Sequence, residues 1–115
     1  MSENAPSIVI CVSKSFDNER VLREALRGVE EESVPCVVLR EADGDAASLS
    51  FTGAERSALE VGIGIDHLGE MAVHYRKLPP QRPLFQIHYK NEFAAIKGVC
   101  ANAARLVKNT PFILN

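Results

Sequence analysis

Apolar positions along this chain follow two periods, and the switches between them mark out its elements. Residues 7–12, SIVICV, are a β-branched run without polar interruption, as suits a strand buried on both faces. From residue 21 the period lengthens. Val21, Leu22, Ala25, Leu26 and Val29 trace one helix stripe, with Arg20, Arg23, Glu24 and Arg27 outside it. Asp17, in the SKSFD connection, is placed to cap this helix. Pro35 stops it, because proline lacks an N–H and disfavours helical geometry at Val34. CVVLR at 36–40 then reads as a second strand.

The next helix is weaker. Asp45 can cap a segment running to about Leu59, but Ser48, Ser50, Thr52 and Gly53 all lower its propensity. EVGIGI at 60–65 reads as a third strand with Gly62 and Gly64 on one face, where something bulky, the terminal helix among the candidates, can approach closely. DHLGE at 66–70 is short enough to join it to MAVHYRKL at 71–78 as an antiparallel hairpin. Pro79, Pro80 and Pro83 stiffen the connection to a fifth strand, LFQIHY at 84–89. Ile96, Val99, Cys100, Ala103, Leu106 and Val107 recur at three-and-four spacing, the strongest helix signal in the chain, ended by Asn109 and Pro111.

The order β-α-β-α-β-β-β-α predicts parallel crossovers, one reversed strand, and a mixed sheet with helices on both faces. At 115 residues the length fits a single domain, 1–115. A net charge of -2 leaves no basic footprint, which argues against nucleic acid as a partner. No apolar run approaches the ~20 residues that cross a bilayer. The start, MSENAPSIVICV, has neither a charged leader nor a cleavage site and reads as cytoplasmic. Cys11, Cys36 and Cys100 lie apart within apolar segments and read as reduced, buried thiols.

Candidate chemistry is sparse. His67, His74 and His88 are too scattered for a helical metal pair, although His74 and His88, on neighbouring strands, could meet across the sheet. GIGIDHLGE is not a dinucleotide loop, since Gly69 precedes a strand rather than a helix. The sharper question is GVEEESVPC at 28–36. Glu30, Glu31 and Glu32 crowd a helix C-terminus, where the macrodipole disfavours anions by ~0.3–1 kcal/mol each. They are either a solvated helix end or a carboxylate offered to a cation or basic surface on another molecule, such as a hard divalent ion.

Four stretches in this order, GVEEESVPC, EVGIGID, MAVHYRKLPPQRPLF and NAARLVKNTPF, resemble the small subunit of diol and glycerol dehydratase reactivases. That family includes the medium subunit of the adenosylcobalamin-dependent dehydratases. The resemblance covers residues 7–113 and implies a three-layer α/β/α domain, anticodon-binding-domain-like, with a mixed five-stranded sheet and one antiparallel strand. It implies a chaperone-like role without catalysis in this chain. The small subunit pairs with a large actin/Hsp70-like ATPase subunit that holds ATP or ADP. It displaces the dehydratase medium subunit from the catalytic large subunit, so that damaged cobalamin leaves. The implied location is cytoplasmic, or within a bacterial microcompartment.

The resemblance also implies that a glutamate of this run reaches a divalent cation, Mg or Ca, shared with the large subunit. Glu31 best matches that position, with Glu30 and Glu32 one register away. No cofactor is expected on this chain alone. Arg105 and Lys108 fall on one helix edge and, with Glu30 and Glu32, are candidates for partner contact; solvation of the helix C-terminus is the plainer reading. Residues 13–20 and 41–57 match no family motif. The rival readings are a dehydratase medium subunit helping to hold cobalamin, a small enzyme built on His74 and His88, and a generic oligomerisation domain. The short PPQR between Leu78 and Pro83 and the early first strand argue against the first of these.

Overall fold

Six consecutive buried residues, Ile8–Ser13, form β1, an interior strand of a five-stranded sheet. The computed structural model describes residues 5–41, 43–109 and 112–113. After β1 come α1 (Glu19–Glu30), β2 (Cys36–Glu41), α2 (Ala46–Arg56), β3 (Val61–Ile65), β4 (Glu70–Tyr75) and β5 (Phe85–His88). A 3-10 turn, Phe93–Ala95, leads into α3 (Ile96–Val107).

The sheet order is β2-β1-β3-β4-β5. β1 pairs in parallel with β2 and with β3, whereas β4 runs antiparallel to both β3 and β5. One strand, β4, is therefore reversed, as expected from the five-residue hairpin.

Alternation of side chains divides the core between the two faces. Ile8, Ile10 and Val12 of β1, with Val61, Ile63 and Ile65 of β3, pack under Val21, Ala25 and Val29 of α1 and Ile96, Cys100 and Ala103 of α3. Each Ile or Val side chain among them contributes about 1.5–3 kcal/mol on burial. The opposite face carries Val9 and Cys11 against Leu49 of α2. The result is three layers.

α2 explains its own weak pattern. Its buried residues are small: Ala46, Ser50, Gly53 and Ala54 accompany Leu49. They lie directly on Gly62 and Gly64, where an added Cβ would come within 2.2 Å of Ala54 N and of Ala46 O respectively. The two strand glycines thus accommodate α2, not the terminal helix. Asp45 caps α2 as expected, accepting from Ser48 N at 2.8 Å. The helix ends at Arg56 rather than near Leu59, because Ser57 turns extended and donates its hydroxyl to Ser7 O at 2.6 Å.

At α1 the cap is Asn18, whose side chain accepts from Val21 N at 3.2 Å; Asp17 lies one residue too early. Asn109, at φ 57°, turns the chain after α3 through the left-handed region that asparagine tolerates. Pro111, expected to close that helix, lies outside the described residues.

Candidate functional site

α1 and α3 lie side by side and run in the same direction. Near their starts the Arg20 guanidinium sits 4.1 Å from the Phe93 ring centroid. Gly28, in the last turn of α1, lets the backbones approach, since a Cβ there would meet Lys97 O at 2.4 Å and Cys100 Cβ at 2.9 Å. At their ends the glutamate run faces α3. This parallel packing brings two helix C-termini, both electrically negative, to one end of the domain.

The turn after α1 separates the three carboxylates. Glu31 N bonds Arg27 O at 2.9 Å and Ser33 N bonds Glu30 O at 2.9 Å, and Ser33 takes a left-handed φ of 61°. Glu30 remains exposed. Glu31 is also exposed, with Oε2 3.0 Å from Lys97 Nζ. Glu32 turns inward, where Arg105 Nη2 at 3.1 Å and Lys108 Nζ at 2.9 Å hold its carboxylate, and Lys108 also donates to Glu32 O at 2.9 Å.

The Glu32 carboxyl is held below its ordinary value, chiefly by the Lys108 hydrogen bond and further by the charges of Arg105 and Lys108, against a desolvation that opposes them. Arg105 and Lys108 do share an edge, as their spacing predicts. Within this chain that edge clamps Glu32 and neutralises an end where the dipole would otherwise repel it.

Beside this clamp lies a groove of about 540 Å3 whose lining includes Glu24, Glu31, Lys97, Gly98, Ala101 and Ile113. Its far wall is fixed by Asn102, a buried amide on α3. Asn102 Oδ1 accepts from Ile113 N at 2.7 Å and Nδ2 donates to Ile113 O at 3.2 Å, so one side chain brackets the chain after α3. Phe112 adds an edge contact to Phe85, at 5.3 Å between centroids. Sequence reading missed the roles of Asn102 and Lys97. The signal for Asn102 was a polar residue flanked by Ala101 and Ala103 inside the apolar stretch 99–104; nothing local marks Lys97.

The histidines do not converge. His74 pairs with Gly62 and is fully buried, its Nε2 3.1 Å from Leu78 O and its ring edge-on to Phe51. His88 lies opposite Glu70, four residues along β4 from His74, and its Nε2 reaches Glu70 Oε2 at 2.5 Å. His67 sits at the carboxyl end of the parallel strands, Nδ1 3.4 Å from Ser13 Oγ, whose hydroxyl donates to Asp43. Ser15 donates to Asp43 as well, and these hydrogen bonds, that of Ser13 first, lower the Asp43 carboxyl. Ser13, Asp43 and His67 tie three loops together. The Asp43 carboxylate accepts from the Ser13 hydroxyl, and His67 Nδ1 stands at the long end of hydrogen-bond range from the same oxygen.

Cys11 and Cys100 are buried and Cys36 half-buried, none of them in a disulfide. Among the described residues no group of three His, Cys, Asp or Glu side chains could hold a metal ion. No helix among them is long and apolar enough to cross a membrane.

Residues 5–113 match the sequence profile of the dehydratase medium subunit family. The chain is 37% identical over 111 residues to the propanediol dehydratase-reactivating factor small subunit of Salmonella typhimurium, covering 96% of this chain and 93% of that one. It is 37% identical over 112 residues to the diol dehydratase-reactivating factor small subunit of Klebsiella michiganensis, covering 96% of this chain and 86% of the relative. Among solved structures it is similar to a glycerol dehydratase reactivase, with a TM-score of 0.90 at 32% identity, over 95% of this chain and 97% of the other. It also superposes on a diol dehydratase-reactivating factor complexed with ADP and Mg2+, with a TM-score of 0.87 at 36% identity, over 96% and 100% of the two chains.

Proposed function

The chain belongs to the dehydratase medium subunit family, and from that premise we propose that it works as the small subunit of a dehydratase-reactivating factor. The observation that carries this reading is its match to reactivating-factor small subunits along nearly their whole length, at TM-scores of 0.90 and 0.87 for two solved reactivases. Its partner is then a large subunit, an ATPase that holds ATP or ADP, and its client an adenosylcobalamin-dependent diol or glycerol dehydratase.

The action is competition for one seat. A domain shaped like the dehydratase medium subunit takes that subunit's place against the catalytic large subunit, the enzyme opens, and cobalamin that has lost its adenosyl group escapes. The chain makes and breaks no covalent bond. Nucleotide state on the large subunit decides which seat it occupies. Moving its occupancy from one-tenth to nine-tenths requires the two states to differ by about 2.6 kcal/mol in affinity for it.

Glu31 is the residue that supports a metal-linked contact. A carboxylate is a hard oxygen donor suited to Mg2+ or Ca2+, and Glu31 is better exposed than its ion-paired neighbour Glu32, its side chain 55% accessible against 14%. Glu31 would supply one ligand, with the rest of the shell coming from the large subunit and water. The cation itself supplies only charge neutralisation between the two chains. Glu30, exposed beside it, lies at the rim, and Glu32 with Arg105 and Lys108 forms the rigid base that sets the angle of the turn.

The test is assembly of this chain with its cognate large subunit in Mg2+ and in EDTA. Glu31→Gln should weaken assembly in Mg2+ about as much as chelation weakens that of the unaltered chain, with circular dichroism of the isolated chain unchanged. Equal assembly of both proteins under both conditions removes Glu31 from the interface.

A further inference from the structure

The charge that Glu31 meets inside its own chain is the most informative feature of this end of the domain. Lys97 lies in the first turn of α3, whose N-terminus has no side-chain cap and no acidic residue. A cation there opposes the helix dipole, as does Glu31 at the C-cap of α1. Neither charge serves its own helix. Among the described residues each is ion-paired with the other, at 3.0 Å, and both side chains are about half exposed, at 44% for Lys97 and 55% for Glu31. The neighbouring pair contrasts with it, since Glu32 is tucked in and held by two cations from α3.

We infer that Lys97 is an internal counter-ion which occupies Glu31 in the unassembled chain and which a divalent cation must displace when the chain docks. This inference rests on the Glu31 reading above. A cation bound at about 2.1 Å to Glu31 Oε2, the oxygen that Lys97 holds, would stand within roughly 5 Å of the ammonium if Lys97 kept its position. The two like charges repel at that range, so the lysine must swing away. Solvent beside the groove can receive it. Lys97 thereby raises the cation concentration at which the seat fills.

An exposed ion pair of this kind is weak, so its release shifts the midpoint by only a few-fold. The experiment is a titration of Mg2+ alone, repeated with Ca2+, into mixtures of the large subunit with each variant of this chain, reading complex formation. Lys97→Met should lower the Mg2+ midpoint roughly two- to fivefold, while Lys97→Arg, which keeps the charge, should leave it in place. Combined with Glu31→Gln, Lys97→Met should produce no shift, because the two residues act as one unit.

A Lys97→Met midpoint equal to or above that of the unaltered chain overturns the counter-ion role. If Glu31→Gln still abolishes the metal dependence in that case, the Glu31 contact survives and only the Lys97 inference falls. If Glu31→Gln has no effect, both fall together. A shift that persists in the double variant also overturns it, since Lys97 would then be acting on some other group.

Discussion

Replacing Gly28 by alanine sets two physical effects against each other, and the geometry decides between them. Gly28 lies inside α1, where alanine is favoured over glycine by about 1 kcal/mol on helix propensity alone. The new Cβ would, however, stand 2.4 Å from Lys97 O, 2.9 Å from Cys100 Cβ and 3.1 Å from Ala101 N, where ordinary contacts begin near 3.4 Å. Two of these atoms are α3 backbone and the third is a buried Cβ, so no flexible side-chain end can move aside. α1 must shift outward by about 1 Å, loosening Val21, Ala25 and Val29 against the sheet.

Overpacking of this kind costs about 1–3 kcal/mol. With a rigid backbone as the obstacle, we place the cost toward the upper end and expect a net loss of about 1–2 kcal/mol after the propensity gain. For a domain of this size the corresponding fall in Tm is about 4–8 °C. Urea unfolding followed by circular dichroism, with calorimetry on the same samples, measures both quantities. An alanine variant as stable as the unaltered protein, or more stable, would show that the two helices do not touch at Gly28. The parallel α1–α3 arrangement that presents Glu31 would then be wrong.

Two further expectations concern titration. Glu32 has a carboxyl lowered by Lys108 and Arg105, so its contribution to stability is complete above the ordinary carboxylate pKa and disappears as pH falls through the lowered folded value. Glu32→Gln should therefore flatten the acid limb of stability below the ordinary carboxylate pKa, measured as urea midpoints; an unchanged acid limb would refute the clamp. Cys36, pushed up to about 11 by burial and then by the Glu30 charge, should alkylate slowly at pH 8 and faster as pH rises towards 11. Rapid labelling at neutral pH would contradict its placement on β2.

Much of the architecture was legible because the apolar period changes sharply at each boundary. The SIVICV run, the stripe from Val21 to Val29 and the repeat from Ile96 to Val107 each became the expected element. The short DHLGE turn correctly implied the single reversed strand. What failed depended on contacts distant in sequence. Gly62 and Gly64 signalled a close approach, but nothing local said that α2 would make it, because α2 buries small residues and so lacks a strong stripe.

The glutamate run shows the same limit. Crowding of three carboxylates at a helix end was visible; their division among solvent, Lys97 and the Arg105–Lys108 pair was not. It depends on α3 lying parallel to α1, which Gly28 permits but does not announce. Asn18 rather than Asp17 caps α1, a one-residue difference that spacing alone does not resolve.

The central claim, that this chain acts by taking a seat on a larger protein, is tested most directly by cobalamin release. A dehydratase holding cobalamin without its adenosyl group would be incubated with the large reactivase subunit, ATP and Mg2+, with and without this chain, and free cobalamin measured after filtration. Release that requires the chain is the predicted result. Equal release in its absence, or recovery of the chain as a lasting component of the active dehydratase, would contradict it.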